Sequence, residues 1–292
     1  MLDRFLRHIA ACNNAELPGE RLPFLLRGAA VGWVRPDFAA ALARHGLSVA
    51  AGTVALDDPE RLQPVARALA AEGWYPWRDE AFDVRADWGG PALATLDRGA
   101  LPLFGVEAAG VHLNGLVRRA EGLHLWVARR AANKLLDPGK LDHLVAGGVP
   151  AGLSPAETLV KEGAEEAGLS PALLAAARPV SVFGYRMERP EGLRRDRLWC
   201  YDLELPESFV PVPEDGEVEA FELWPLARVF EAVRDGDSFK FNVNLVLIDL
   251  FLRVGLIDPD SAAGRRLRAG LQAGGGVAGR DGQISESPAA RP

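Results

Sequence analysis

The stretch that decides the fold runs from Gly147 to Leu169 and reads GGVPAGLSPAETLVKEGAEEAGL. Ser154 is an N-cap residue, Pro155 sits at the first helical position, and Glu157 lies three residues after the cap. That is a capping box with a favourable proline, so the pattern predicts a helix over 155–167. Gly168 stands where a left-handed C-terminal residue belongs. On this helix Glu162, Glu165 and Glu166 fall at i, i+3 and i+4 and share a face. Three like charges so placed repel, and a cation relieves them. Carboxylate-rich oxygen sites suit Mg²⁺ or Mn²⁺, which also bind phosphates. Such an ion lowers the pKa of a bound water, and a spare carboxylate can take its proton. Taken alone, three glutamates on a helix are a solvated face. The short loop before them, with Gly147, Gly148 and Gly152, permits a tight bend and close packing of helix on strand.

Outward from that stretch, the chain is an ordinary globular sequence. It has 292 residues, a formal net charge of −7, and 40 acidic against 33 basic side chains. That sign argues against a nucleic-acid partner and leaves room for a local basic pocket for a small phosphorylated molecule. Cys12 and Cys200 are too far apart in sequence to form a metal-ligand motif, and two reduced thiols in a cytoplasmic protein are expected. The N-terminus carries Asp3 and no long apolar run, so no secretory signal is read there. The window from Phe241 to Ile257 contains Asn242, Asn244, Asp249 and Arg253, which fits a buried or amphipathic helix and not a membrane span.

Helical spacing of Leu2, Phe5, Leu6 and Ile9 opens the chain. A strand at 29–34, a helix from Pro36 to Gly46, an extended 47–56, a helix capped by Asp58 and stopped by Gly73, and a short strand at 82–84 follow. This predicts a smaller α+β N-terminal domain over 1–105. From Val106 onward, hairpins at 111–129 and 180–205, a strand at 218–224 and a helix from Val243 predict a mixed sheet covered by helices, a domain over 106–258. Asp215-Gly216 reads as a turn. Residues 259–292, rich in Gly, Ala, Arg and Ser without an apolar period, are expected to be a disordered tail.

The segment 147–169 resembles the Nudix box, with Gly147, Glu162, Glu165, Glu166, Gly168 and Leu169 in matching positions. Leu153 stands where that box has its first Glu, Lys161 where it has Arg, and Gly163 where it has an apolar residue. In the family the first Glu and the Arg are thought to brace the loop; here Glu157, four before Lys161, offers Lys161 a substitute partner. LDRGALPLFGVEAAGVHLNGLV (96–117), LWVARRAANKLLDPGKLDHLVAGG (125–148), SVFGYRMERP (181–190), YDLELPESFVPVPEDGEVEAFELWPL (201–226) and FKFNVNLVLIDLFLRVGLI (239–257) are similar to a Nudix subgroup. That subgroup is related to the N-terminal part of fungal thiamine pyrophosphokinase fusions and carries an extra N-terminal domain. The resemblance implies an α/β/α Nudix sandwich and metal-dependent hydrolysis of thiamine diphosphate or its oxidised, damaged forms to the monophosphate and phosphate. Two alternatives stay open: a nucleoside diphosphate derivative as substrate, or a Nudix-fold protein that senses a diphosphate without turning it over.

In this reading Glu162, Glu165 and Glu166 hold Mg²⁺ (or Mn²⁺), with Glu165 and Glu166 as catalytic carboxylates. Arg129, Arg130 and Lys134, at a strand end, are the expected diphosphate-binding cations. Gly147, Gly148, Gly152, Lys161 and Gly168 are loop and helix-end residues. Glu217 and Glu219, on one side of a strand by alternation, offer a further carboxylate. Lys240 reads as a surface lysine, with reach to a phosphate as the alternative, and His143 as structural. Trp199, Tyr201, Phe183 and Tyr185 stand either in the core or against a substrate ring, and Trp74, Trp77 and Trp88 share that ambiguity. The expected partner is a small-molecule diphosphate, with no nucleic acid and no membrane.

Overall fold

The computed structural model describes residues 2–213, 216–274 and 277–278; Asp215 of the expected turn lies outside them. The first helix, α1 (Leu2–Cys12), leads to a four-stranded sheet of β1 (Leu22–Leu26), β2 (Ala29–Val34), β3 (Ser48–Ala50) and β4 (Thr53–Leu56). The order is β2-β1-β4-β3, with β1 and β4 parallel. Helices α2 (Pro36–Arg44) and α3 (Leu62–Ala71), a ribbon of β5 (Ala81–Val84) and β6 (Ala94–Asp97), and α4 (Leu101–Phe104) complete this unit. Its core gathers Phe24, Leu26, Phe38, Leu42, Leu69 and Phe104.

The second unit contains β7 (Glu107–Arg119), β8 (Gly122–Arg130), β9 (Leu141–Asp142), β10 (Val145–Gly148), β11 (Arg178–Arg189), β12 (Gly192–Glu204) and β13 (Val218–Pro225). Strands run β13-β8-β7-β12-β11, then β14 (Val277–Ala278), with β10 on β7 and β9 on β8. The β7–β12 pair is parallel and its neighbours antiparallel, so the sheet is mixed. Side chains alternate between faces. Val117 and Trp126 enter one core with Leu159 and Ala167 of α5 (Pro155–Ala167) and Leu174 of α6 (Pro171–Leu174). Leu116, Leu125 and Val127 enter the other, under α7 (Leu226–Asp235), α8 (Val243–Arg253) and α9 (Ala262–Gln272). Helix layers on both faces of one sheet give the α/β/α sandwich.

The first helix, expected in the N-terminal domain, lays its apolar stripe on the second unit: the Phe5 ring lies 5.1 Å from Phe230 and 6.2 Å from Phe251. One expectation about organisation is corrected. The tail expected from residue 259 begins with α9, which Ser261 caps by accepting from the Gly264 amide. Leu267 and Leu271 are buried in the same core as α1, and Gly270 lies against Ile9. An apolar pair four residues apart sufficed for docking, although the composition around it is low in apolar residues. Residues 279–292 lie outside the described residues.

Candidate active site

Helix α5 is set by its predicted cap. The Glu157 amide donates to Ser154 Oγ (3.2 Å), and the Ser154 amide donates to Glu157 Oε2 (2.8 Å). Glu157 is thus occupied at the cap and does not serve Lys161, correcting the proposed pair. Lys161 instead donates to Glu162 (3.1 Å) and Glu165 (2.6 Å). The Glu165 hydrogen bond, above all, raises Lys161 above the usual lysine range. Gly163, unexpected in this motif, makes room for Leu174: a Cβ there would meet that side chain at 2.9 Å.

Gly147 must lack a side chain because the Glu162 carboxyl lies against it, 2.5 Å from where a Cβ would sit. Burial lifts Glu162 above the ordinary carboxylate range, with Lys161 opposing. Glu166 is buried and turned toward β10, where the Ala146 amide donates to it at 2.8 Å. The α5 carboxylates therefore share a face without converging on one point. The donor set suits a hard divalent cation: oxygen ligands on one helix face, Glu162 and Glu166 largely shielded from water, with an ammonium already standing between Glu162 and Glu165 where positive charge is needed.

The glycine loop is held from outside its own motif. The Ala151 amide donates to Ala81 O of β5 (2.8 Å), and the Gly152 amide to Asp83 Oδ2 (3.4 Å). The tip of the Phe82 ring lies against Gly148, its Cζ 2.6 Å from a would-be Cβ. Strand β5 of the N-terminal unit thus occupies the bracing role that the missing Glu at Leu153 leaves open.

Above the loop lies a cavity of about 360 Å³. Six cations line it (Arg98, Arg130, Lys134, Lys161, Arg194 and Lys240) against four acids (Glu80, Glu162, Glu165 and Glu217). Of the predicted cations, Arg130 and Lys134 face it. Arg129, next along the strand, points the other way and lies 3.5 Å from Glu222. Glu217 reaches the cavity and pairs with Lys134. Burial would raise Glu217, but that pairing holds it below the usual range. Glu219 does not line it, because a register shift between Val218 and Ala220 breaks the expected alternation. Among the described residues, no aromatic side chain lines the cavity. Phe183, Tyr185 and Tyr201 are core residues, and Trp199 packs against the core beside α5. Trp74 meets Phe38, while Trp77 and Trp88 lie under Arg67 and Arg85. The Asn242 Oδ1 is buried at the cavity without a hydrogen-bond partner.

Sequence reasoning missed Asp142 and His112 behind this wall. Asp142 is 4% exposed and accepts from Arg130 (2.7 Å) and from the His143 amide (2.9 Å), with Lys240 at 3.5 Å. Burial opposes its charge, yet Lys240 and Arg130 hold it well below the usual carboxylate range. Lys240, expected at the surface, is largely buried with its side chain 12% exposed, and this burial holds it below the usual lysine range against the pull of Asp142. His112 and His143 are both buried and face each other Nδ1 to Nδ1 at 2.9 Å, so one donates and the other accepts. Burial takes His143 down to about 4 and His112 well below its ordinary value. Among the described residues these two histidines and Asp142 form the His/Cys/Asp/Glu group at metal-ligand spacing. With Arg130 and Lys240 already on Asp142, a further dication there would crowd buried positive charge, and the neutral histidine pair is the fitting state. The signal for this cluster was the acid-histidine dipeptide at 142–143 flanked by apolar residues.

Residues 110–243 match the family model "NUDIX domain", and residues 4–108 match "Domain of unknown function (DUF4743)". The chain is 40% identical to Nudix hydrolase 24, chloroplastic, of Arabidopsis thaliana, over 92% of this chain and 79% of that protein. It is 38% identical to Nudix hydrolase 20, chloroplastic, of the same plant, over 89% and 75%. A crystal structure of DR0079 from Deinococcus radiodurans is similar at 21% identity and a TM-score of 0.46, covering 57% of this chain and 97% of that one. A glycine loop leading into a carboxylate helix beneath a cation-lined cavity is the apparatus of a diphosphate hydrolase. The chain belongs to the Nudix hydrolases, which generally use a divalent metal such as Mg²⁺ or Mn²⁺.

Proposed function

We propose that this protein is a Mg²⁺- or Mn²⁺-dependent hydrolase of thiamine diphosphate or its oxidised, ring-altered forms, releasing the monophosphate and phosphate. The observation that carries the diphosphate chemistry is the cation-lined cavity set directly over Glu162 and Glu165. Arg130, Lys134 and Lys240 hold phosphoryl oxygens. Glu162, Glu165 and Glu166 would hold the metal, which would supply Lewis-acid polarisation and lower the pKa of a water. A carboxylate, Glu165 or Glu166, takes the proton as water attacks phosphorus and the bridging P–O bond breaks. Glu217 is a further carboxylate at the same cavity.

The substrate class rests on the resemblance of five stretches to the thiamine-related subgroup, and two features of the cavity support it. The unpartnered Asn242 Oδ1 is matched by a heterocycle with an N–H donor. The excess of cations over acids disfavours the intact thiazolium cation and favours ring-altered, neutral forms. The test is hydrolysis with Mg²⁺, with and without chelator, of thiamine diphosphate, an oxidised form and a nucleoside diphosphate sugar. Higher kcat/KM on the oxidised form, abolished by chelator, is expected. Preference for the sugar nucleotide overturns the substrate, and full activity in chelator overturns the metal.

A further inference from the structure

We propose that Arg98, contributed by the N-terminal unit, is a substrate-binding residue whose guanidinium holds a phosphoryl oxygen, so that this unit forms one wall of the active site. This rests on the reading that the cavity takes a diphosphate. Arg98 lines the same cavity as Arg130, Lys134, Lys240 and Glu162, although it lies outside the segment matching the NUDIX domain. Its charge reaches across the space, since it lowers both Glu217 and Lys240.

The residue is held where it stands. Asp97, 1% exposed, accepts from the amides of Arg78 (3.1 Å), Glu80 (3.3 Å) and Gly99 (2.8 Å). The Arg98 amide donates to Glu80 O at 2.8 Å. One buried carboxylate thus ties together the two turns that carry Glu80 and Arg98. The guanidinium donates through Nη1 to Glu80 (2.8 Å) and lies over the Phe82 ring at 5.8 Å. Phe82 in turn rests on Gly148, beside the Glu162 carboxyl. Arg98 is therefore coupled to the glycine loop through one ring. Its side chain is 53% exposed. An exposed ion pair adds little stability, so the buried scaffold beneath it is explained by positioning. A guanidinium carries five donors in a fixed fork; Glu80 takes one side and leaves the rest for an anion in the cavity.

The test compares the full-length wild type with Arg98→Ala and Arg98→Lys, using the diphosphate the wild type turns over best in Mg²⁺. Loss of a charged hydrogen bond to substrate predicts a KM raised roughly ten- to hundred-fold for Arg98→Ala, with kcat within about threefold. Arg98→Lys keeps the charge but not the fork and falls between. Unliganded Tm should move by no more than about 2 °C, as expected for an exposed pair. An unchanged KM overturns the proposal, as does a lowered kcat at constant KM. A wild type that hydrolyses no diphosphate defeats the functional reading, and Arg98 is then judged by binding. Methylenediphosphonate should protect the wild type from thermal unfolding and fail to protect Arg98→Ala; equal protection, or none for either, overturns it.

Discussion

Replacing Asp142 with asparagine removes one negative charge from beneath the cavity while keeping the side chain's size. Asp142 Oδ2 lies 2.7 Å from Arg130 and 3.5 Å from Lys240, and the aspartate is 4% exposed. Breaking a buried pair from one side typically costs about 3–5 kcal/mol, because the remaining charge stays desolvated. Here Arg130 keeps other acceptors, Asp137 O at 3.1 Å and Leu136 O at 2.9 Å, and Lys240 borders the open cavity. The expected loss is therefore nearer 2–4 kcal/mol, a Tm drop of roughly 5–15 °C for a chain of this size. Removing a stranded cation should restore part of it, so Asp142→Asn with Lys240→Met should lose less than the sum of the single changes. The pH dependence has a definite sign. The folded-state pKa of Asp142 is depressed, so its contribution is complete above the unfolded value of about 3.9 and fades as pH falls toward the folded one. Thermal unfolding of wild type and Asp142→Asn from pH 8 downward should show a constant gap that closes only below about pH 4. A gap under about 2 °C at pH 7, or one that closes already between pH 7 and 5, would refute this account of the cluster.

Glu166→Gln keeps an acceptor for the Ala146 amide, so Tm should stay within about 3 °C while kcat falls by at least about a hundredfold; a near-normal rate would return the acidic face to a solvated one. Glu217→Gln should lower kcat/KM and Glu219→Gln should leave it within about twofold, because only the former lines the cavity; equal effects would reject that distinction. Truncation after Asp260 removes Leu267 and Leu271 from the core, a loss of about 3–6 kcal/mol that a Tm lowered by less than about 3 °C would contradict.

What was legible in the sequence was local. Ser154, Pro155, Glu157 and Gly168 mark the ends of α5 because capping is read from residues a few positions apart. The α5 carboxylates follow from helical periodicity alone. Position across a strand was less legible. Arg130 and Lys134 enter the cavity and Arg129 does not, and a register shift turns Glu217 and Glu219 to different surroundings. Least legible were contacts between distant segments. Nothing local to Lys240 shows that Asp142 will bury it, and nothing local to Arg98 shows that β5 will rest on the glycine loop. The helix at 262–272 was missed because docking needed only two leucines, too few to stand out among Gly, Ala and Arg.

Two of the three departures in the motif, Leu153 and Lys161, and the presence of the N-terminal unit have one physical explanation. A fixed guanidinium fork suits bracing a carboxylate across a loop, and with Leu153 in the acid's place there is no carboxylate to brace. Lys161, a compact charge on a flexible stem, instead reaches Glu162 and Glu165 at once. That relieves the repulsion on α5 but leaves the loop unsupported from within. Support comes from β5, through the Ala151 and Gly152 amides and the Phe82 ring. The same ribbon carries Arg98 to the cavity, so loop rigidity and part of the positive field arrive together. The field matters because the chain as a whole carries −7. With a Debye length of about 8 Å at physiological salt, that surplus is largely screened from the cavity. An anionic substrate therefore meets the local balance of six cations and four acids, and one of those cations belongs to the added unit.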